Sequence, residues 1–143
     1  MPSDLALKAM NTVHRALLTV SGGRIGWQAA GMPVLELTTT GRSSGEPRSV
    51  MLTSPVQEGD TIVIVASRGG DDRHPAWFLN LRDDPDVEVA MGGGDRRPYR
   101  AEIADADERA RLWPIITGDH GNYAGYQRRT DREIPVVLLH PSA

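Results

Sequence analysis

The chain has 143 residues, of which 39% are hydrophobic and 24% are charged, and its formal net charge is −3 at pH 7. This length suits one domain with a real hydrophobic core and is short for two, and an acidic chain has no general affinity for nucleic acid. The sequence contains no cysteine, which excludes disulfides, thiolate nucleophiles and cysteine-ligated metal ions. We therefore expect a single domain, with an N-terminal helix and linker over residues 1–30 and the main body over residues 31–143.

The first predicted element is an amphipathic helix from Ser3 to about Val20. Apolar residues recur there at roughly helical spacing, and Ser3 can cap the first turn. Charged residues such as Asp4 and Lys8 interrupt the apolar groups too often for a signal peptide or a membrane span. The polar face is not strongly basic, which favours packing on the domain or on a partner subunit over a membrane-surface anchor. The pattern is typical of a cytoplasmic protein without membrane association.

Six β-prone segments follow, most of them separated by short turns. The segment Thr61–Ser67 is apolar almost without interruption, which indicates a strand that is buried on both faces. Turns are predicted at Gln57–Asp60 and at the glycine-rich run Gly92–Asp95. The predicted strands are Pro33–Thr40, Ser49–Val56, Thr61–Ser67, Val87–Met91, Arg97–Ile103 and Ile134–Leu139.

Helical patterns separate some of these strands. A short helix is predicted over His74–Leu81, a second begins at Asp105 and continues towards Pro114, and a third short segment carries Tyr123 and Tyr126. This arrangement predicts an α+β fold, namely a small, mostly antiparallel barrel of about six strands with helices packed around it. A two-layer sheet with helices on one face is the alternative.

Two polar loops concentrate groups that bind anions. The first runs from Thr38 to Arg48 and carries arginines, serine hydroxyls and glycines, and the second, Ser67–Gly70, follows a predicted strand. Guanidinium forks and flexible backbone amides suit phosphate or carboxylate groups. Because adjacent loops of a closed barrel can meet at one rim, the two loops together predict a site for a phosphorylated cofactor. Independent, solvated surface loops are the alternative.

Two residue pairs, each spaced three apart, can line one face of a helix. Trp77 and Asn80 combine an apolar ring with an amide, and Tyr123 and Tyr126 present two phenols. Core packing is the commoner role of such a tryptophan and an equally good explanation of the tyrosines. No histidine pair stands at metal-ligand spacing, so no metal site is predicted. The motifs of serine hydrolases, P-loop proteins and Rossmann nicotinamide sites are missing.

Taken together, four ordered blocks of the sequence resemble the deazaflavin-dependent nitroreductase family, a group of small split-barrel reductases that use coenzyme F420. The blocks are Leu37–Arg42 with Gly45–Arg48, Val65–Gly70, Pro75–Leu81, and Tyr123–Gln127 with Thr130–Pro135. The resemblance covers about residues 33–141 and implies a split β-barrel of the FMN-binding-like type, dimeric in some members and monomeric in others. It also implies that reduced deazaflavin delivers a hydride to a small electron-poor acceptor such as a quinone, an enone or a nitro compound.

The resemblance assigns roles to individual residues. The phosphodiester and carboxylates of the cofactor tail would face the first polar loop, and the second loop and the short helix would surround the remainder. The implied cofactor-binding residues are Arg42, Ser43, Ser44, Arg48, Ser49, Val50, Met51, Val65, Ala66, Ser67, Arg68, Ala76, Trp77 and Asn80. Tyr126, Tyr123 and His120 would serve the acceptor, by donating a hydrogen bond or a proton.

Two positions depart from the usual pattern of that family. Ser43 stands where Lys or Arg is common, which removes one cation from the tail site. His120 stands where the best-known nitroreductase branch has a tyrosine, so reduction of nitroimidazole prodrugs is not implied. We expect coenzyme F420 as the cofactor, with FMN as the alternative. A deazaflavin carrier without turnover is the alternative function, and a homodimer is compatible with both.

Overall fold

The computed structural model of the protein describes residues 28–29 and 32–142. The helix predicted from Ser3 to about Val20 lies outside these residues, and so does most of the predicted linker. The described residues form eight strands, three α-helices and a 3-10 turn at Arg68–Gly70. The strands are β1 (Gln28–Ala29), β2 (Met32–Thr40), β3 (Pro47–Thr53), β4 (Val56–Glu58), β5 (Thr61–Val65), β6 (Asp86–Met91), β7 (Arg97–Ile103) and β8 (Val136–Pro141). The helices are α1 (Ala76–Asp83), α2 (Ala106–Asp119) and α3 (Asn122–Arg128).

All strand pairs are antiparallel, and the strand order is β1-β2-β6-β7-β8-β5-β4 with β3 paired to β2. Leu37 at the centre of β2 faces Val50 of β3 on one edge and Val89 of β6 on the other. The sheet curls into a split barrel, so the predicted α+β fold is confirmed. Two short strands, β1 and β4, are additional to the six that the sequence indicated.

Two hydrophobic clusters pack against the two faces of β5. Ile62 and Ile64 belong to a cluster that includes residues of α1, whereas Val63 and Val65 belong to a second cluster with residues of α2 and α3. Alternate side chains of a strand point to opposite faces, so a strand buried on both sides is apolar throughout. The expected burial of this segment on both faces is confirmed.

The chain between β3 and β5 differs from the prediction. β3 ends at Thr53 rather than at Val56, and β4 occupies part of the segment that was predicted to be a turn. Ser54 lies between the two strands and is fully buried, with its hydroxyl 2.6 Å from the carbonyl oxygen of Val63. A buried hydroxyl needs such a partner. This tertiary contact, which has no signature in the hydrophobic pattern, divides the segment into two strands.

The helix α2 continues past Pro114, where it was expected to end. Proline inside a helix removes one backbone hydrogen bond and disfavours the helix. Leu112 and Ile116 lie on either side of the proline and are both fully buried in the core. Their packing therefore maintains the helix to Asp119. The start of α2 agrees with the prediction, because the Asp105 carboxylate accepts a hydrogen bond of 2.8 Å from a backbone amide of the first turn.

Candidate functional site

An open cleft of about 1100 Å³ lies between the β2–β3 turn, strand β3, the 3-10 turn after β5, and helices α1 and α3. Most of the predicted site residues meet on its wall, although they come from distant parts of the sequence. The predicted residues on the wall are Arg42, Ser43, Ser44, Arg48, Ser49, Val50, Met51, Val65, Ser67, Arg68, Ala76, Trp77, Asn80, Tyr123 and Tyr126. Ala66 and His120 are not on the wall.

The β2–β3 turn is a compact loop closed by backbone hydrogen bonds. The amide of Gly41 donates to the carbonyl of Glu46, and the amide of Gly45 donates to the carbonyl of Gly41, both over 2.8 Å. A Cβ atom on Gly41 would lie only 2.5 Å from the Ser44 hydroxyl oxygen, so a side chain there would displace that hydroxyl from its observed position. The Ser44 hydroxyl accepts from the Glu46 amide at 3.1 Å and from Arg48 at 3.4 Å. The turn thus holds the Arg48 guanidinium at the cleft.

Asn80 of helix α1 positions Arg42 at the cleft. Its side-chain oxygen accepts hydrogen bonds from the Arg42 amide at 3.2 Å and from the Arg42 guanidinium at 3.0 Å. Its side-chain nitrogen donates to the Thr39 hydroxyl at 3.1 Å, and Asn80 is only 4% exposed. Although Asn80 lies on the cleft wall, its amide is occupied by these partners. Asn80 therefore holds Arg42 in place.

Replacing Asn80 by alanine is expected to lower the free energy of unfolding by about 1–3 kcal/mol, because it leaves buried polar partners without a hydrogen bond. Urea unfolding followed by tryptophan fluorescence measures this loss. Asn122→Ala is the matched control, since Asn122 is an exposed asparagine of the same cleft with no side-chain hydrogen bond to the described residues. It is expected to change stability by no more than about 0.5 kcal/mol. Equal losses in the two variants would contradict the role of Asn80.

The second polar loop has an unusual backbone. Arg68, Gly69 and Gly70 all have positive φ values, 48°, 64° and 86°, and Arg68 is not a glycine. The Arg68 guanidinium lies 2.7 Å from the carboxylate of Asp71. A hydrogen bond from the backbone of Arg73, and then the charge of Arg68, lower the pKa of the Asp71 carboxyl. Arg68 therefore lines the cleft with its charge matched by a carboxylate.

Arg132 braces this loop from behind the cleft. Its guanidinium donates hydrogen bonds to the backbone carbonyls of Asp71 at 2.9 Å, Ser67 at 2.9 Å and Ala66 at 3.2 Å. It also lies 3.2 Å from Nδ1 of His74. Burial, followed by the charge of Arg132, lowers the pKa of His74, so the neutral ring accepts this hydrogen bond. Arg132 has no assigned role in the sequence prediction. Ala66, which the resemblance assigns to the cofactor site, is fully buried and is not on the cleft wall.

The aromatic end of the cleft is formed by two tyrosines of α3. Tyr123 is 5% exposed, with its hydroxyl 3.5 Å from Thr53 and 3.6 Å from the Met32 sulfur, and burial raises the pKa of this phenol. The Tyr126 ring meets it edge to face at 5.9 Å. Within the described residues the Tyr126 hydroxyl has no hydrogen-bond partner. His120 packs against the outer side of Tyr123, with ring centroids 6.5 Å apart, and so reaches the cleft only through that tyrosine.

Strand β3 contributes an open edge to the cleft. Ser49–Thr53 line the wall, and in the part of the chain that the structure describes β3 pairs with β2 alone. Backbone amides and carbonyls on such an edge can hydrogen-bond a planar ligand that carries both donors and acceptors.

The cleft is cationic within an acidic protein. Its described wall contains the guanidinium groups of Arg42, Arg48, Arg68 and Arg129 and no aspartate or glutamate. Among the described residues, a carboxylate compensates one of these groups, Arg68, whose partner is Asp71. Arg129 was missed by the sequence reasoning, although its position three residues after Tyr126 continues the spacing of the two tyrosines. The wall therefore favours ligands with more than one negative charge.

Two further types of site have no counterpart among residues 28–29 and 32–142. No group of three or more His, Asp or Glu side chains is arranged to hold a metal ion in this part of the chain. Among the same residues, no helix has the length and apolar character needed to cross a membrane.

Comparisons with known proteins identify the family. Residues 10–141 match the family described as F420H2-dependent quinone reductase. An F420H2-dependent quinone reductase of Mycobacterium tuberculosis is 42% identical over 133 residues, which cover 89% of this chain and 87% of that protein. A solved structure described as an F420-H2 dependent reductase (FDR-A) is 38% identical with a TM-score of 0.66, and the match covers 76% of this chain and 94% of that one.

A second solved structure, described as a domain-swapped dimer, is 32% identical with a TM-score of 0.69 and a match over 93% of this chain and 99% of that one. Both structural matches span the split barrel. The resemblance to deazaflavin-dependent reductases is thereby confirmed. The protein belongs to the F420H2-dependent quinone reductase family.

Proposed function

We propose that the protein uses reduced coenzyme F420 to reduce quinones. The observation that carries the proposal is the combination of groups on one cleft: two arginines at the β2–β3 turn that form no ion pair among the described residues, the backbone along the edge of β3, and the Tyr126 hydroxyl, which has no hydrogen-bond partner among those residues. A cofactor with an acidic tail and a hydrogen-bonding ring, together with an acceptor that presents a carbonyl oxygen, matches these groups. Enones and nitro compounds present similar oxygens and belong to the same proposed class of acceptors.

The tail of the cofactor is assigned to the β2–β3 turn. Arg42 and Arg48 are exposed there and make no ion pair with a carboxylate of the described residues. Guanidinium groups stay charged at all physiological pH values and bind phosphate and carboxylate oxygens as forks. Ser43 adds a hydroxyl where a third cation would be common. The tail site therefore depends on these two arginines.

The ring of the cofactor is assigned to the middle of the cleft. There the backbone of β3 lines the cleft along the edge that pairs with no other strand of the described residues, and Trp77 and Val65 add apolar surface. Such a combination of a few fixed polar groups with an apolar wall is typical of cofactor sites. The strand edge would set the orientation of the ring, and the apolar groups would exclude water from its face.

The chemistry is shared between the cofactor and α3. Bound in its reduced form, coenzyme F420 supplies a hydride, and a quinone that gains a hydride and one proton becomes a hydroquinone. Tyr126 donates a hydrogen bond to the acceptor oxygen on which negative charge develops. Tyr123, whose pKa is raised by burial, stays protonated at neutral pH and packs against the edge of Tyr126. Its role is to hold Tyr126 in position.

Purified protein mixed with reduced coenzyme F420 and menadione is expected to oxidise the cofactor, which the returning absorbance of the oxidised deazaflavin measures. Reactions without protein or without quinone give the background rate. Tyr126→Phe is expected to lower kcat/KM for menadione about tenfold, because one lost hydrogen bond costs about 1.4 kcal/mol. Bound cofactor that no quinone oxidises would favour a carrier, and a yellow protein with bound flavin would favour FMN.

A homodimer and a cytoplasmic location are the remaining parts of the proposal. A relative of 32% identity is described as a domain-swapped dimer, which supports the first. Light scattering coupled to size-exclusion chromatography would give the mass in solution, and a monomeric mass at all concentrations would contradict the dimer.

A further inference from the structure

One face of α3 and its C-terminal cap carries a row of polar side chains on the cleft wall. Asn122, Tyr126 and Arg129 follow one another at intervals of four and three residues, so their side chains lie on the same side of the helix. Tyr123 lies beneath this row and is buried. An amide, a phenol and a guanidinium thus stand together at the aromatic end of the cleft.

The Arg129 side chain is held in this position by the second polar loop. A Cβ atom on Gly70 would lie 3.0 Å from Cβ of Arg129 and 3.1 Å from its Cδ, so the aliphatic stem packs directly on the glycine. The guanidinium donates to the Gly69 carbonyl at 3.4 Å and lies 5.8 Å from the centroid of the Tyr126 ring. These contacts direct the charge towards Tyr126.

Arg129 brings a positive charge that the described fold does not neutralise. Within the described residues it forms no ion pair, in contrast to Arg68, whose guanidinium lies 2.7 Å from the carboxylate of Asp71. A cation at a helix C-terminus is favoured by the helix dipole. The neighbouring Arg128 already supplies such a cation from outside the cleft wall. The dipole alone therefore does not account for a second arginine that faces the cleft.

We infer that Arg129 is a specificity-determining residue which makes the aromatic end of the cleft prefer quinones that carry an acidic substituent. This inference rests on the proposed function, because it places the acceptor beside Tyr126. A carboxylate, sulfonate or ionised hydroxyl on the quinone ring would pair with the guanidinium while Tyr126 donates to the quinone carbonyl. This subsite is separate from the tail site, because Arg42 and Arg48 belong to the β2–β3 turn rather than to α3.

The test compares a neutral with an anionic quinone. Menadione and 1,2-naphthoquinone-4-sulfonate are each assayed with the wild type, and the ratio of their kcat/KM values cancels changes that affect both substrates. Arg129→Gln is expected to lower the ratio of sulfonate to menadione about tenfold, the size of one charge-assisted contact at a partly solvated site. Arg128→Gln, which removes the same charge one residue away, is expected to leave the ratio unchanged. Arg129→Lys should restore part of the preference.

A binding measurement without turnover separates this inference from the proposed function. Trp77 lines the cleft, so quenching of tryptophan fluorescence reports binding of the sulfonate to protein that holds oxidised cofactor. The apparent Kd for the sulfonate is expected to rise about tenfold in Arg129→Gln and not in Arg128→Gln. This result would support the subsite even if no quinone were reduced, which would count against the proposed function alone. An unchanged kcat/KM ratio, or weaker cofactor binding in Arg129→Gln with equal losses for both quinones, would overturn the inference.

Discussion

Replacing Arg42 and Arg48 together by glutamine is expected to raise the dissociation constant of coenzyme F420 about a hundredfold. A hydrogen bond to a charged group is worth roughly 1.5–3 kcal/mol, and the lower end applies because both side chains are exposed. Two such contacts sum to about 3 kcal/mol, and each 1.4 kcal/mol corresponds to about a factor of ten. Titration of the deazaflavin fluorescence with protein measures the constant directly.

The matched control for this variant is Arg97→Gln combined with Arg128→Gln. It removes the same two charges from exposed positions outside the cleft wall. Its dissociation constant is expected to change less than about threefold, because at 0.15 M salt exposed charges are screened beyond about 8 Å. Equal losses in the two double variants would mean that net charge, rather than the β2–β3 turn, holds the tail. Unchanged affinity in the variant that lacks Arg42 and Arg48 would mean that the cofactor tail does not bind at this turn.

The effect is concentrated on two residues because the other polar groups near them are neutral or already paired. Ser43 contributes a hydroxyl but no charge. The charge of Arg68 is shared with Asp71, and the amide of Asn80 is occupied by Arg42. The tail site of this protein thus offers less positive charge to the cofactor than its number of arginines suggests. Each of its two exposed arginines therefore contributes a larger share of the binding free energy.

The strands that frame the cleft could be predicted because their signal is local. The predicted segments Pro33–Thr40 and Thr61–Ser67 agree with β2 and β5 to within two residues. Each residue of a strand is polar or apolar according to its own burial. Alternating and continuous hydrophobic patterns can therefore be recognised directly in the sequence. The split between β3 and β4 depends on the buried hydroxyl of Ser54, which bonds the carbonyl of Val63 nine residues away. A contact of that kind leaves no periodic pattern.

The residues that line the cleft could be predicted better than the role of each of them. Arg42 and Arg68 look alike in sequence, as arginines in glycine-containing loops. In the fold, Arg42 is held by Asn80, 38 residues away, and Arg68 is paired with Asp71. A partner as distant as Asn80 is set by the topology of the sheet, whereas Asp71 is only three residues from Arg68 and meets it through the backbone of the second polar loop. Arg129 is different. It follows Tyr126 by three residues, as Tyr126 follows Tyr123, so helical spacing alone predicts its place on the cleft wall.

The second polar loop is held from outside by Arg132. The guanidinium joins the backbone carbonyls of Ala66, Ser67 and Asp71, the first of them 66 residues earlier in the sequence. Its planar fork is suited to several acceptors at once, and no other side chain has this geometry. The loop includes Arg68, whose positive φ is unfavourable for a residue with a side chain. External hydrogen bonds are therefore needed to maintain it.

Arg132→Ala is expected to lower the free energy of unfolding by about 3 kcal/mol, since hydrogen bonds to a charged group are each worth roughly 1.5–3 kcal/mol and the carbonyls regain only part of this from water. Urea unfolding measures the loss. Arg111→Ala is the contrast, because Arg111 also binds several acceptors, including Glu58 at 2.7 Å, but its side chain is 47% exposed. Exposed ion pairs contribute at most about 1 kcal/mol. Similar losses in the two variants would contradict the role of Arg132 as a brace.

Arg132→Lys separates loss of stability from loss of the site. Lysine at this position keeps the positive charge, so the Arg132→Lys variant is expected to remain folded more readily than Arg132→Ala. Its ammonium reaches fewer carbonyls, because it lacks the planar fork of a guanidinium. The folded variant is therefore expected to bind coenzyme F420 about tenfold more weakly, since Ser67, Arg68 and Gly69 line the cleft and would no longer be held at the observed backbone angles. The affinity of Arg132→Lys for coenzyme F420 is measured under conditions far from the midpoint of its unfolding transition, where the variant is folded. Full affinity in a destabilised Arg132→Lys would show that Arg132 stabilises the fold without shaping the cleft.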